Sequence, residues 1–291
     1  MHDVIIVGGG PAGLTAGLYA ARAGRDTVLL ERMMAGGQMA LTDRIENYPG
    51  FSQGVSGLEL CAVMEQQAAH AGVRLVYEGV LEIDCAGLAV RTSSGWLQGK
   101  RLVLAMGATA KRLGVPGEER LAGRGVSYCA TCDGALYRGK RVAVVGGGNS
   151  AAEDALYLAG IGCEVVVVHR RDSLRAEAAV AQRLLSHPAI SVRWNSRVAA
   201  FEGEQKLTRL VLEGGDAVPA SGVFVAVGRA PETELVRGQV DMDGHGFIRA
   251  GEDCRTTMPG VYAAGDARAK ALRQIVTAVA DGAMAAEGAG E

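Results

Sequence analysis

The 291-residue chain has little charge imbalance, no long apolar run, no low-complexity tract and too few cysteines for a disulfide scaffold. Its 30 Lys plus Arg against 32 Asp plus Glu leave a formal charge of −2. A protein that binds nucleic acid by neutralising phosphates would carry a basic excess, so that class is excluded. No apolar run reaches the ~18 residues a bilayer-spanning helix needs; even Val165–Val168 is bounded by Glu164 and His169. No basic segment precedes Val4-Ile5-Ile6-Val7, as a secretory signal would require. Six cysteines predict reduced thiols in a cytoplasmic protein, unless two of them form a working pair. Glycine, by contrast, is abundant: 42 residues, roughly twice ordinary usage. With only 7 prolines, composition stays below the range of disordered chains. The glycines therefore serve tight turns and close backbone approaches. The length predicts about two domains, each able to bury a core.

An internal repeat organises the chain. Asp3–Val7 reads as a buried strand running into Gly8-Gly9-Gly10-Pro11-Ala12-Gly13, and Arg141–Val145 runs likewise into Gly146-Gly147-Gly148-Asn149-Ser150-Ala151. An Ala-rich helical stretch follows each, over 14–23 and 151–160, and then a second strand, over 26–30 and 163–168. Gly146 follows Gly8 by 138 residues, and His169 follows Glu31 by the same 138. Two independent matches in one register predict two related βαβ nucleotide-binding units. Leu102–Gly107 and Val223–Gly228 repeat as late apolar strands ending in glycine. Residues 73–98 and 190–227 predict a small antiparallel ribbon on each domain. Linkers near Lys111-Arg112 and Arg229-Ala230 place the second unit inside the first. The expected fold is α/β, with two Rossmann-like domains: 1–111 with 230–291, and 112–229 inserted between them. A strand at 260–264 and a helix from about Arg273 to Ala286 complete the first domain.

Each glycine motif has a physical reading. The first glycine makes the turn, the second lets the backbone approach a pyrophosphate, and the third lets helix pack on strand. In the first unit these are Gly8, Gly10 and Gly13, with Pro11 and Ala12 opening the helix on whose free N–H groups a phosphate rests. Glu31 stands where a carboxylate accepts a ribose hydroxyl. In the second unit Gly146 and Gly148 are kept, Asn149 and Ser150 open the helix, and Ala151 replaces the third glycine. No acid stands at its 169 position. His169, Arg170 and Arg171, with Arg175 one turn on, form a cationic cluster suited to a ribose 2′-phosphate. The first unit thus reads as a site for an adenine dinucleotide without that phosphate, and the second as a site for NADPH.

Two dinucleotides in one chain imply electron transfer between them. Cys129-Ala130-Thr131-Cys132 supplies an acceptor: the spacing closes a small disulfide ring, and such pairs have lowered thiol pKa values. Asp133 follows as a candidate proton donor or acceptor. A zinc site needs a second Cys/His pair. Cys61, Cys85, Cys163 and Cys254 are scattered singly and read as small buried residues, so no metal is expected.

The segments GGGPAG (8–13), GGQ (36–38), ENYPG (46–50), GVSYCATCDG (125–134), GGGNSAAED (146–154), HRRDSLR (169–175) and AAGD…RQI (263–275) resemble those of the low-molecular-weight, bacterial-type thioredoxin reductases over nearly the whole chain. The resemblance implies FAD in the first domain, NADPH in the second, thioredoxin or a similar small redoxin as partner, and a homodimer. It adds Gly37, Gln38 and Asn47 to the FAD site, with Gly265 and Asp266 near the ribityl-pyrophosphate and Arg273, Gln274 and Ile275 near the flavin pyrimidine edge. It implies Cys132 as the flavin-facing cysteine, Cys129 as the one that attacks the partner disulfide, and Asp133 as acid/base. It also implies a rotation of one domain about the two linkers. The chain ends sooner after RQI than many relatives, and it carries no thioredoxin-like extension. A flavin-dependent dithiol oxidase and a ferredoxin–NADP reductase of the same fold remain as alternatives. The arginine cluster argues against the first and the cysteine pair against the second. A non-enzymatic flavin-binding scaffold is a third.

Overall fold

The structure, a computed structural model, describes residues 1–42 and 44–288. It divides into two compact units, Met1–Thr109 with Ala230–Glu291, and Ala110–Arg229. The chain crosses between them twice. The crossing stretches Ala108–Ala110 and Arg229–Pro231 lie side by side as a two-stranded sheet. Backbone hydrogen bonds flank the crossings: Glu232 N–H to the Gly107 carbonyl at 3.0 Å, and Lys111 N–H to the Gly228 carbonyl at 2.9 Å.

Each unit is built on a five-stranded sheet. In the first, the order is Val261–Ala263, Leu102–Leu104, Val4–Val7, Thr27–Leu30, Arg74–Val76, with every neighbour parallel. In the second, it is Val126–Ser127, Gly222–Ala226, Arg141–Gly146, Glu164–Val168, Ile190–Arg193, again all parallel. The strands are nearly continuous apolar runs because both faces are covered. Side chains alternate between the two faces. In the first unit Val4 and Ile6 pack toward the helices Pro11–Arg22 and Ile275–Gly288, while Ile5 and Val7 pack with Ile83 and Val90. In the second, Val142 and Val144 pack with Ala155 and Leu158 of the helix Asn149–Gly160, while Ala143 and Val145 pack with Phe201 and Leu210.

The second face of each sheet is covered by a three-stranded antiparallel ribbon, at Glu82–Asp84, Ala89–Thr92 and Gly95–Gln98 in the first unit and Val198–Glu202, Arg209–Leu212 and Ala217–Pro219 in the second. The ribbons are narrower than the 73–98 and 190–227 read from the sequence. Arg74–Val76, Ile190–Arg193 and Gly222–Ala226 pair in parallel with strands of the main sheets. Pattern alone does not distinguish a short edge strand from a ribbon strand. The last helix starts two residues later than expected, at Ile275, where the Thr277 hydroxyl accepts the Gln274 N–H at 3.1 Å. Among the described residues no helix is long and apolar enough to cross a membrane.

Phe224 lies fully buried in the second sheet, edge-on to Tyr137 with ring centroids 5.6 Å apart. Phe224→Ala should lower the stability of the second unit by about 3–5 kcal/mol. Proteolysis in a urea series, reading cleavage within 110–229, measures this; a change below 1 kcal/mol would refute the packing described.

Candidate active site

In the first unit the chain leaves the central strand at Val7 and turns at Gly8, whose φ is +107°. A Cβ on Gly8 would overlap the Ala105 carbonyl, and one on Gly13 would overlap the Gly8 carbonyl. Gly10 caps the helix Pro11–Arg22; no side chain bonds the helix start and its first turn holds no acid. A Cβ on Gly10 would meet nothing within 4 Å. The helix thus presents free N–H groups and the positive end of its dipole to open space, which suits an anionic group. Glu31 is held beside this turn: its carboxylate accepts the Gly9 N–H at 2.8 Å and the Met33 N–H at 3.2 Å.

Gly36-Gly37 and Gly265 come to the same turn, and the remaining expected residues make contacts of their own. The Gly36 N–H bonds to the Gly9 carbonyl at 2.7 Å, and a Cβ on Gly37 would make ordinary contact with the Gly10 Cα, at 3.5 Å. Gly265 lies against the helix start, where a Cβ would sit 2.8 Å from that of Ala12. Asn47 donates to Gln274 Oε1 at 3.1 Å. Arg273 stacks on Phe247 at 4.0 Å and donates to the Arg268 carbonyl at 3.2 Å. Gln38 is exposed, Asp266 is half-buried, and Ile275 begins the last helix.

Sequence reading missed Asp281. This buried carboxylate accepts from Lys270 Nζ at 2.8 Å, the Gly265 N–H at 3.0 Å and Arg268 Nη1 at 3.1 Å. It ties the Gly265 turn to the last helix, and the next residue, Gly282, rests on the Ala12 carbonyl. Two cations stand against this carboxylate, and among the described residues Arg268 Nε is buried with no acceptor. A lone acid in the Ala/Gly-rich stretch 277–286 was the available signal; its partners are not adjacent in sequence. The open helix start, the backbone-held Glu31 and the unsatisfied Arg268 Nε fit a dinucleotide such as FAD.

The second unit repeats the turn. A Cβ on Gly146 would overlap the Ala226 carbonyl, as one on Gly8 would overlap that of Ala105. Gly148 caps the helix Asn149–Gly160 with no side-chain bond, no acid in the first turn, and open space where a Cβ would be. The loop after the second strand is stapled to this turn. The Arg175 N–H bonds to the Gly147 carbonyl at 2.7 Å, and Asn149 Oδ1 accepts the Glu177 N–H at 2.7 Å while its Nδ2 donates to Glu177 Oε1 at 3.1 Å. Ser150, Arg170, Arg171 and Arg175 are exposed.

His169 departs from the cationic cluster expected of it. Its ring is buried against Gly147 and Trp194, with Nε2 3.0 Å from the Ser173 carbonyl. Burial, reinforced by the three nearby arginines, holds its pKa below the usual 6.5. The cationic cluster is therefore the three arginines, and the neutral imidazole packs the loop that carries them.

Cys129 and Cys132 follow the edge strand Val126–Ser127 and form a disulfide with Cα atoms 5.3 Å apart, within the ordinary range for such a bridge. Cys129 is extended and caps the short helix Ala130–Asp133. Both cysteines and Asp133 are partly exposed. Thr131 Oγ1 lies 3.5 Å from Cys129 Sγ. Asp133 Oδ2 accepts from the Ser127 hydroxyl at 2.6 Å. The buried Glu118 braces the preceding segment, accepting from Gly114 N–H, Leu113 N–H and the Tyr128 hydroxyl at 2.7, 3.0 and 3.0 Å. The other four cysteines are buried; desolvation pushes Cys61, Cys85 and Cys254 up to about 11 and Cys163 upward. Among the described residues no group of His, Cys, Asp or Glu could hold a metal ion. The redox pair thus stands apart from the inert thiols. It also occupies in its sheet the place that Gly265-Asp266 occupies in the other: just beyond the fifth strand, at the carboxyl ends where such sheets bind ligands.

A model of the pyridine nucleotide-disulphide oxidoreductases matches residues 2–282. The chain is 41% identical to the thioredoxin reductase of Treponema pallidum, over 99% of this chain and 96% of that protein. It is 43% identical to that of Streptomyces clavuligerus, over 98% and 92% respectively. The crystal structure of the thioredoxin reductase from Streptococcus pyogenes superposes with a TM-score of 0.92, at 41% identity, over 99% of this chain and 97% of that one.

Two outcomes are expected of these contacts. Asp281→Ala leaves two buried cations without their carboxylate and should cost about 3–5 kcal/mol, read as loss of thermal stability; a variant as stable as the parent would show the cluster is dispensable. For His169, the unfolded chain binds a proton before the folded one as pH falls. The stability that the neutral ring contributes is complete above pH 6.5 and is lost as pH drops through the folded value. Melting curves at successive pH values should therefore be less acid-sensitive in His169→Gln than in the parent, and equal sensitivity would count against it.

Proposed function

The chain belongs to the pyridine nucleotide-disulphide oxidoreductase family, and from that membership we propose that it reduces the disulfide of thioredoxin, or of a similar small redoxin, at the expense of NADPH. The observation that carries this reading is the Cys129–Cys132 disulfide beyond the edge strand of a dinucleotide-binding sheet, in a chain about 40% identical to thioredoxin reductases over its full length. NADPH and FAD, when bound, supply a hydride donor and a two-electron carrier able to reduce a disulfide.

The chain's own residues have the following proposed roles. Gly8, Gly10, Pro11, Ala12 and Gly13 form the cradle for the FAD pyrophosphate, and Glu31 accepts from its ribose. Gly37, Gln38, Asn47, Gly265, Asp266, Arg273, Gln274 and Ile275 line the rest of that site. Gly146, Gly148, Asn149 and Ser150 receive the NADPH pyrophosphate. Arg170, Arg171 and Arg175 pair with its 2′-phosphate, whose charge a carboxylate at that place would repel. His169 keeps their loop packed on the glycine turn.

In the cysteine pair, a thiolate is the attacking species. Cys129 attacks the partner's disulfide to form a mixed disulfide, and Cys132 then attacks Cys129 to release the reduced partner and restore the Cys129–Cys132 bond. Asp133 holds or gives the proton that this chemistry moves. The resemblance to thioredoxin reductases further supports a homodimer.

Anaerobic mixing of the FAD-loaded protein with NADPH and oxidised thioredoxin should release thioredoxin thiols, and Cys132→Ser should abolish that release. Thiol release that survives the substitution would remove the cysteine pair from the reaction. Consumption of NADPH without thiol release would leave the donor side standing and reject thioredoxin as the partner. Arg170→Gln with Arg171→Gln should raise KM for NADPH roughly 10- to 100-fold, the worth of one lost charge-assisted bond, and leave KM for NADH little changed. An equal rise for both nucleotides would disconnect the arginines from the 2′-phosphate.

A further inference from the structure

Ser127 is the last residue of the two-residue edge strand, registered opposite Phe224, and its side chain is buried. A buried hydroxyl at a strand position is costly unless it is bonded, and here its bonds all run to the redox segment. The Ser127 hydroxyl is 2.6 Å from Asp133 Oδ2 and 3.4 Å from the Cys129 carbonyl, and it accepts the Cys129 N–H at 3.2 Å. One hydroxyl proton serves one acceptor well. The short distance and the carboxylate's charge assign it to Asp133. The result is a directed chain: Cys129 N–H to Ser127 Oγ, and Ser127 O–H to Asp133 Oδ2. It links the residue that begins the Cys-x-x-Cys turn to the acid that ends it. The Asp133 N–H bond to the Cys129 carbonyl, at 3.2 Å, closes the same turn through the backbone. The side-chain link reaches the carboxyl group itself.

We propose that Ser127 is a positioning residue for the disulfide chemistry, holding the Asp133 carboxyl group in place to exchange a proton with the Cys129–Cys132 pair. The proposal rests on the reading of Asp133 as acid/base given above. Two electrons, supplied by NADPH in the proposed reaction, break the S–S bond and leave two thiolates. A proton that the Asp133 carboxylate takes up from water converts one thiolate to a thiol. The carboxylate, which accepts the Ser127 O–H as a charge-assisted bond in the disulfide form, takes the proton back when the disulfide re-forms and returns it to water. Ser127 neither gains nor loses a proton overall. Its contribution is that both forms of Asp133 stay at one place relative to the sulfurs.

The test is a double-substitution cycle with a readout that needs no nucleotide. Dithiothreitol opens the Cys129–Cys132 bond in the full-length protein, and free thiols are counted after an acid quench. In parallel, NADPH-driven opening is followed in the FAD-loaded protein. The parent, Ser127→Ala, Asp133→Asn and the double variant are compared. Ser127→Ala should slow opening roughly tenfold in an otherwise native chain, part of the ~10²–10⁴-fold that a positioned acid or base contributes. It should change the rate less than about twofold when Asp133 is already Asn, because coupled residues do not add. Ser127→Thr, which keeps the hydroxyl, should recover most of the rate; a role in packing alone predicts that the larger Thr does worse than Ala. If Ser127→Ala slows opening equally in both backgrounds, or not at all while Asp133→Asn does, the positioning role is overturned and the reading of Asp133 stands. If Asp133→Asn opens as fast as the parent, both fall.

Discussion

Everything at the two nucleotide turns depends on how closely a strand end approaches its neighbour. At Gly8 and at Gly146 the α-carbon stands against the carbonyl of the adjacent strand, Ala105 in one unit and Ala226 in the other, with no room for a Cβ. That contact forces the chain to turn out of the sheet at once. Two residues later it reaches a second glycine that faces open space and starts a helix. The helix therefore points its unpaired N–H groups at the carboxyl ends of the central strands. A side chain at the first glycine would push the strand end outward and misdirect the helix, whatever else the sequence kept.

Given the same turn twice, the two units differ through what sits behind it. In the first, Glu31 takes hydrogen bonds from Gly9 and Met33, so a negative group stands beside the turn, and Arg268 and Lys270 surround Asp281. In the second, the equivalent place holds a neutral His169 ring pressed on Gly147, and the positive charge lies on the exposed arginines after it. One position thus separates a carboxylate-bearing site from an arginine-bearing one on a shared backbone. The same economy appears beyond the fifth strand, where one unit carries Gly265-Asp266 and the other the Cys129–Cys132 disulfide.

Much of this was legible in the sequence because it is local. The glycine turns, the helices behind them and the central strands follow from contiguous patterns, and the 138-residue register tied Glu31 to His169 before any coordinates. What the sequence hid depends on pairings that no local pattern in the chain announces. Asp281 meets Gly265, Arg268 and Lys270 from within the last helix. Ser127 meets Asp133 only because the Cys-x-x-Cys turn doubles back on the strand end. His169 looked cationic beside its arginine neighbours. Its burial comes from Gly147 and Trp194, on other segments, which no charge count reveals. The edge strands at 74–76 and 190–193 read as ribbon in the sequence because three- or four-residue strands carry no periodicity of their own.

The paired crossing stretches at 108–110 and 229–231 bear on how one sheet comes to contain another. Chain order differs between the units: the fifth strand of the first sheet comes last, at 261–263, while that of the second comes before its other four, at 126–127. The second unit is thus a circular permutation of the first. Its ends, Lys111 and Gly228, are joined by a backbone hydrogen bond, as are Gly107 and Glu232 on the host side. To the host, an insertion of about 120 residues is a loop whose ends the folded insert already holds together. The entropy of closing so long a loop is therefore met by the insert's own folding, and the host's sheet forms as if a short hairpin joined its strands.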